Sequence, residues 1–197
     1  MVLRVSDAVA PLGRRVVAFF LDGLVLVPVW VLYGVVLDAV LGPLVASDPG
    51  GAGLVVVAVD APRVALELAL TLLTDAAYYA GCWVRWGMTP GQRICGVAVR
   101  VTGSPLSPAP GAAPPPLPGP DPVPAQVATV RWAVLQVVPI CVGSLGAAGA
   151  LSLGIVAGIS TGWSVFLLLS AATDPMRRAF HDRVAGTVVV RPAVRRP

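Results

Sequence analysis

The sequence predicts an all-α membrane protein: a bundle of four transmembrane helices with a short cytoplasmic surface helix and a small two-stranded cytoplasmic element. Three observations lead there. Apolar residues fill 56% of the 197 positions and charged residues only 12%, about half the roughly 25% of a soluble domain. The tract from Trp132 to Thr173 runs 42 positions without a charge, about twice the ~20 residues that a helix needs to cross a bilayer. With four crossings, thirteen of the fourteen basic residues, all arginines, fall on one side, as the positive-inside rule requires.

The first span is expected over residues 16–42. Arg4, Arg14 and Arg15 ahead of it also suit a signal peptide, but the apolar run is too long, contains Asp22 and lacks an Ala-x-Ala cleavage site, so an uncleaved span is expected. The second runs over 62–86 and carries Glu67 and Asp75. Between them, Gly, Pro and Asp punctuate a loop. Its apolar centre, LVVVAV, is too short to cross and is expected to dip into the interface. The uncharged tract supplies spans 132–151 and 154–173, with the turn near 150–154. Gly143, Gly146, Gly149, Gly154, Gly158 and Gly162 permit close helix packing, within the chain or in a homo-oligomer.

Only Arg63 falls on the far side of this arrangement, whereas three crossings would expose six C-terminal arginines. Both termini and the 85–131 loop are therefore expected in the cytoplasm, and the whole chain, 1–197, in the plasma membrane as one domain. Trp30, Trp83, Trp86, Trp132 and Trp163 lie mostly near span ends, where interfacial anchors belong. Residues 103–126 contain ten of the twenty prolines. They read as a semi-extended polyproline linker in preference to a P-x-x-P docking site.

Three segments carry more than hydrophobicity. Arg15, Ala18 and Asp22 share one helix face, with the Arg and the Asp about 10 Å apart along the axis. After the second span, RWGMTPGQRICGVAVRV has Gly87, Pro90 and Gly91 as helix breakers and then a strand-like alternation. At the end, DPMRRAFHDRVAGTVVVRP gives a surface helix over 176–185 and a second strand. Residues 97–102 and 187–191 are expected to pair, because lone valine-rich strands would leave backbone groups unsatisfied.

In this order the segments resemble the RDD family of small multi-helix membrane proteins. The resemblance is carried by RRVVAFFLD, by GMTPGQRICGVAV with its Thr89, Gly91 and Arg93, and by HDRVAGTVVV with His181 and Arg183. It implies that Arg15, Asp22 and Asp182 are the Arg and the two Asp of the family signature. Gln92 stands where Lys is common. Some members are similar to monovalent cation/proton antiporters, so exchange is one activity the resemblance implies.

From the residues themselves, two readings compete. In the transport reading, Asp22, Asp75 and Glu67 form a proton path, with Asp75 about 16 Å from the span end. In the structural reading, Asp22 holds an arginine, Arg15 or Arg183, or takes hydrogen bonds from Thr71 and Thr74, and the protein is a scaffold or accessory to an unknown membrane partner. Asp182 would cap the surface helix, and His181 would be an ordinary interfacial residue. No catalytic or phosphate-binding motif occurs, so no enzyme is expected. Cys82, Cys95 and Cys141 lack metal-ligand spacing. The expected partners are the lipid bilayer, monovalent cations and protons, with no nucleic acid, no cofactor and no metal.

Overall fold

The computed structural model describes residues 9–42, 45–47, 57–102, 122–147 and 151–191. Its elements, in chain order, are α1 (Leu12–Leu41), β1 (Val45–Ser47), β2 (Val57–Val59), α2 (Ala61–Trp86), α3 (Pro90–Ile94), β3 (Ala98–Val101), α4 (Ala125–Ala147), α5 (Leu153–Thr173), α6 (Phe180–Val184) and β4 (Thr187–Val190).

Three of the four long helices, α1, α4 and α5, are long and apolar enough to cross a membrane. The remaining one, α2, carries Arg63, Glu67, Asp75 and Arg85 along its length. Polarity is inverted relative to a soluble protein. On α1 the buried stripe is Ala18, Asp22 and Leu26, at i, i+4 and i+8, while Phe20, Leu24, Leu32 and Val40 face outward. An outer surface this apolar is stable only in lipid.

The helix ends follow from local chemistry. Asp60 caps α2 by accepting from the Arg63 N–H at 3.3 Å, and Gly87 ends it in the left-handed region at φ +67°. Ser152 caps α5. In packing, α2 and α4 form the central pair, α3 sits on α1, and α5 and α6 lean on α4. Contact between α1 and α5 is slight.

The strand pair expected at the span ends is present. β3 and β4 run antiparallel, with Ala98 opposite Val190 and Val101 opposite Thr187. Val9 adds a bridge to Val190, and the Ala10 N–H donates to the Val189 carbonyl at 3.0 Å. This ladder lies where α1 and α4 begin and α2 and α5 end. Val189 of the ladder and Val97, just ahead of β3, pack with Ala10 and Ala18, and Val99 packs with Leu26, Tyr79 and Trp83.

Several expectations need correction. The segment expected to dip into the interface supplies β2, which pairs antiparallel with β1; residues 48–56 lie outside the described residues. The third long helix is Ala125–Ala147 rather than 132–151, so it starts within the expected 103–126 linker, of which residues 103–121 lie outside the described residues. Ser152, inside the turn expected near 150–154, caps α5 by satisfying an otherwise free N–H; residues 148–150 lie outside the described residues. The surface helix of 176–185 shrinks to the single turn of α6, since Asp174 folds 174–178 into a turn by accepting from the N–H groups of Met176 and Arg178.

Trp83 is 1% exposed and belongs to the core, so it is no interfacial anchor, while Trp163 donates its indole N–H to the Leu135 carbonyl of α4 at 3.3 Å. Of the glycines, Gly146 packs closely, with Val156 of α5 in the space that a side chain would take, while Gly143, Gly154, Gly158 and Gly162 face open space.

Candidate functional site

The site grows from the end where the ladder sits. After Gly87 the chain turns into α3 through a capping box: the Thr89 hydroxyl accepts from the Gln92 N–H, and the Gln92 carbonyl oxygen accepts from the Thr89 N–H at 2.9 Å. Pro90 occupies the first turn, where its missing N–H costs nothing. Sequence reading took these residues as breakers; Thr-Pro-Gly-Gln was in fact the pattern of a helix start.

Asp22 of α1 faces this turn. Its Oδ2 accepts from the Thr89 hydroxyl at 2.6 Å, and its Oδ1 accepts from the Gly91 N–H at 2.8 Å and the Tyr78 hydroxyl at 2.7 Å. Both carboxylate oxygens are thus occupied. Gly91 is required by this approach: a Cβ there would press into the Ala18 carbonyl oxygen and lie 2.7 Å from Asp22 Oδ1. Gln92 is also specific, because its Oε1 accepts from the Trp83 indole at 3.0 Å as well as from Thr89. A lysine there has no acceptor to offer.

No arginine reaches Asp22 among the described residues, which corrects the expected Arg15 or Arg183 partner, and its hydroxyl donors are Thr89 and Tyr78 in place of Thr71 and Thr74. The reason is geometric. Arg15 lies two turns along the same helix, about 10 Å away, and is drawn to Asp182, 3.4 Å from its Oδ2. Its guanidinium also donates to the carbonyls of Arg177 at 2.6 Å and Val189 at 3.2 Å. Arg93 and Arg183 are exposed.

Asp182 is fully buried and anchors a second cluster. Its Oδ1 accepts from Arg131 at 2.6 Å and the Thr187 hydroxyl at 3.2 Å, and its Oδ2 accepts from Arg15 and the Ala179 N–H. Burial pushes this carboxyl upward, but the charge of Arg131 leads a set of partners that outweighs it and holds the group below the ordinary carboxylate range. So Asp182 does cap α6, and it also ties α1, α4 and the C-terminal segment together.

Arg131 was missed as a site residue, having been weighed only as a loop charge. It is 3% exposed, and its guanidinium lies over the Trp83 ring at 4.6 Å. His181, far from interfacial, is buried beside it, with Nε2 3.3 Å from an Arg131 nitrogen. Burial pushes His181 down to about 4, with the Asp182 charge opposing it and the Arg131 and Arg15 charges adding to it. The neutral ring accepts at Nε2 and carries its proton on Nδ1, which has no partner.

Asp75 differs from both signature aspartates. It is 1% exposed on α2, its Oδ1 has no hydrogen-bond partner, and no ion pair reaches it among the described residues. The Trp30 indole lies beside it with its own nitrogen unpartnered. Asp75 and Asp22 do not bond to each other; Tyr78, bonded to Asp22, packs edge-on against Tyr79. Glu67 is half-buried two turns further along α2. At the opposite end from the ladder, Arg63 is buried and paired with Asp38 of α1. The single far-side arginine is thereby neutralised, a pairing the sequence reading did not find.

A family model described as RDD family matches residues 9–113, just over half of the chain. The matched stretch holds Arg15, Asp22 and the Thr89–Arg93 turn. Asp182 lies beyond it in sequence and joins it in space. No curated protein and no solved structure matches the chain.

Proposed function

Since the chain belongs to the RDD family, we propose that it is a four-span protein of the plasma membrane, with both termini and the ladder in the cytoplasm, that exchanges monovalent cations for protons at Asp75. The orientation is supported by the thirteen-to-one distribution of arginines and by Asp38, which compensates the one exception.

One observation carries the exchange reading: a buried carboxylate inside the helix bundle keeps an oxygen free and has no fixed cation beside it. Such a group can hold a proton or a small cation in turn, which is the minimum chemistry of coupled exchange. Glu67 lies toward the outer side on the same helix, and Tyr79 and Tyr78 lead toward Asp22 on the inner side. In this reading Asp22 is a fixture at the inner end, no enzymatic step occurs, and no cofactor takes part.

The test is proton movement in proteoliposomes on addition of sodium or potassium. Wild type is expected to acidify or alkalinise the lumen according to the imposed gradient, and Asp75→Asn, which keeps the shape, is expected to abolish the response while inserting normally. Equal flux with and without the Asp75 carboxylate would leave the scaffold reading, which the saturated signature residues favour.

A further inference from the structure

The cluster at Asp182 is also the floor of a cavity of about 360 Å³ between α1, α4 and α5, a volume in the range of small-ligand sites. Its two ends differ in chemistry. At the floor lie Arg15, Arg131, His181 and Gln92, while the walls are made by Phe19, Phe20, Leu135, Trp163, Leu167 and Leu168. Phe20 is 68% and Leu168 43% exposed, so the apolar wall opens sideways between α1 and α5, where the helices barely touch. In a membrane that opening faces lipid.

Hydrogen bonding at the floor lacks an acceptor. Asp182 and Asp22 also line the cavity, but every carboxylate oxygen of both already accepts one or two donors. Left over without partners, and with almost no exposed surface, are Arg15 Nε, Arg131 Nε and His181 Nδ1, on side chains that line the cavity. All three are donors when the His181 ring is neutral with its proton on Nδ1, and leaving such a donor buried and unpaired is destabilising. An anionic oxygen group supplies what is missing.

We propose that this cavity binds an anionic amphiphile, its carboxylate or phosphate head on the arginine floor and its acyl chain along the wall of Phe20, Trp163 and Leu168. The ligand enters from the leaflet beside the ladder. Residues 12–22 of α1 cover about 15 Å of helix, half of the ~30 Å hydrocarbon core, so the cavity matches the depth of one leaflet. Asp75 does not line the cavity, although Tyr79 and Asp22 do.

Full-length protein, delipidated in neutral detergent, is titrated with palmitate, phosphatidylglycerol, phosphatidylcholine and inorganic phosphate, and bound adducts are read by native mass spectrometry. Binding of palmitate or phosphatidylglycerol about tenfold or more tighter than phosphatidylcholine is expected, a gap of ~1.4 kcal/mol. Palmitate alone assigns a free fatty acid, and phosphatidylglycerol alone a membrane lipid. Leu168→Trp fills the wall at a half-open position and is expected to weaken binding by a similar factor with an unchanged melting temperature. Arg131→Gln is expected to weaken binding by a similar factor through the head while lowering the melting temperature, since it takes one arginine from Asp182; if it does not fold, Phe20→Trp replaces it. Equal affinity for phosphatidylcholine, phosphate binding as tight as palmitate, or unaltered binding in a folded Leu168→Trp would overturn the assignment.

Discussion

Asp182 and Asp75 are equally hidden from solvent, at 0% and 1% exposure, yet their surroundings are opposite. Asp182 has four donors on two oxygens, two of them arginines. Asp75 has a free oxygen and no arginine. Burial alone therefore does not mark a functional carboxylate. A saturated one is a fixture whose loss is felt as stability, and an unsaturated one is available for chemistry. Asp22, with three donors, belongs with Asp182.

The largest break in this comparison is expected from Asp182→Ala. It leaves buried Arg131 and part-buried Arg15 without their anion, a cost of about 3–5 kcal/mol. Little monodisperse protein should survive size-exclusion chromatography in detergent. Gly91→Ala comes next. Its Cβ has no room against the Ala18 carbonyl and Asp22, and pushing α3 off α1 is expected to cost about 1–3 kcal/mol, read as a melting temperature lower by several degrees.

A pH scan sharpens the contrast further. His181 is pushed down to about 4 in the fold against an ordinary ~6.5. Between those values the unfolded chain takes up a proton that the folded chain refuses, so stability is lost as pH falls through this window. Asp182, held below its ordinary range, keeps its contribution until lower pH. The melting temperature is expected to drop between about pH 6.5 and pH 4, and His181→Gln should flatten that drop. The smallest effect is expected at the other end of the molecule. Asp38→Asn keeps an oxygen for Arg63, and the Asp38 side chain is 59% exposed, so a loss of about 1 kcal/mol or less is expected.

The sequence made some of this legible. Alternating valines announced β3 and the valine run after Thr187 announced β4, and their need for partners announced the ladder. The inward face of α1 followed from the spacing of Ala18 and Asp22. Less could be read where partners are remote. Asp182 meets Arg15 across 167 positions and Arg131 across 51, and nothing local distinguishes Arg131 from its neighbours in a positive-inside count. Asp22 was expected to hold an arginine because Arg15 is its nearest charge in sequence. Backbone and hydroxyl donors prevailed because α3 delivers them at bonding distance, whereas helix geometry keeps Arg15 two turns away. One signal was present and passed over: the T-x-x-Q of Thr89 and Gln92, a capping box whose open end receives Asp22.

The most direct measurement places Asp22→Asn and Asp75→Asn side by side, recording melting temperature in detergent and cation-driven proton flux per folded molecule in vesicles. Asp22→Asn should lower the melting temperature, since its amide sets a donor against Thr89 or Gly91, and leave flux per folded molecule near wild type. Asp75→Asn should keep the melting temperature and lose the flux. The reverse pattern, with flux lost at Asp22 and retained at Asp75, would contradict the division between fixture and exchange site.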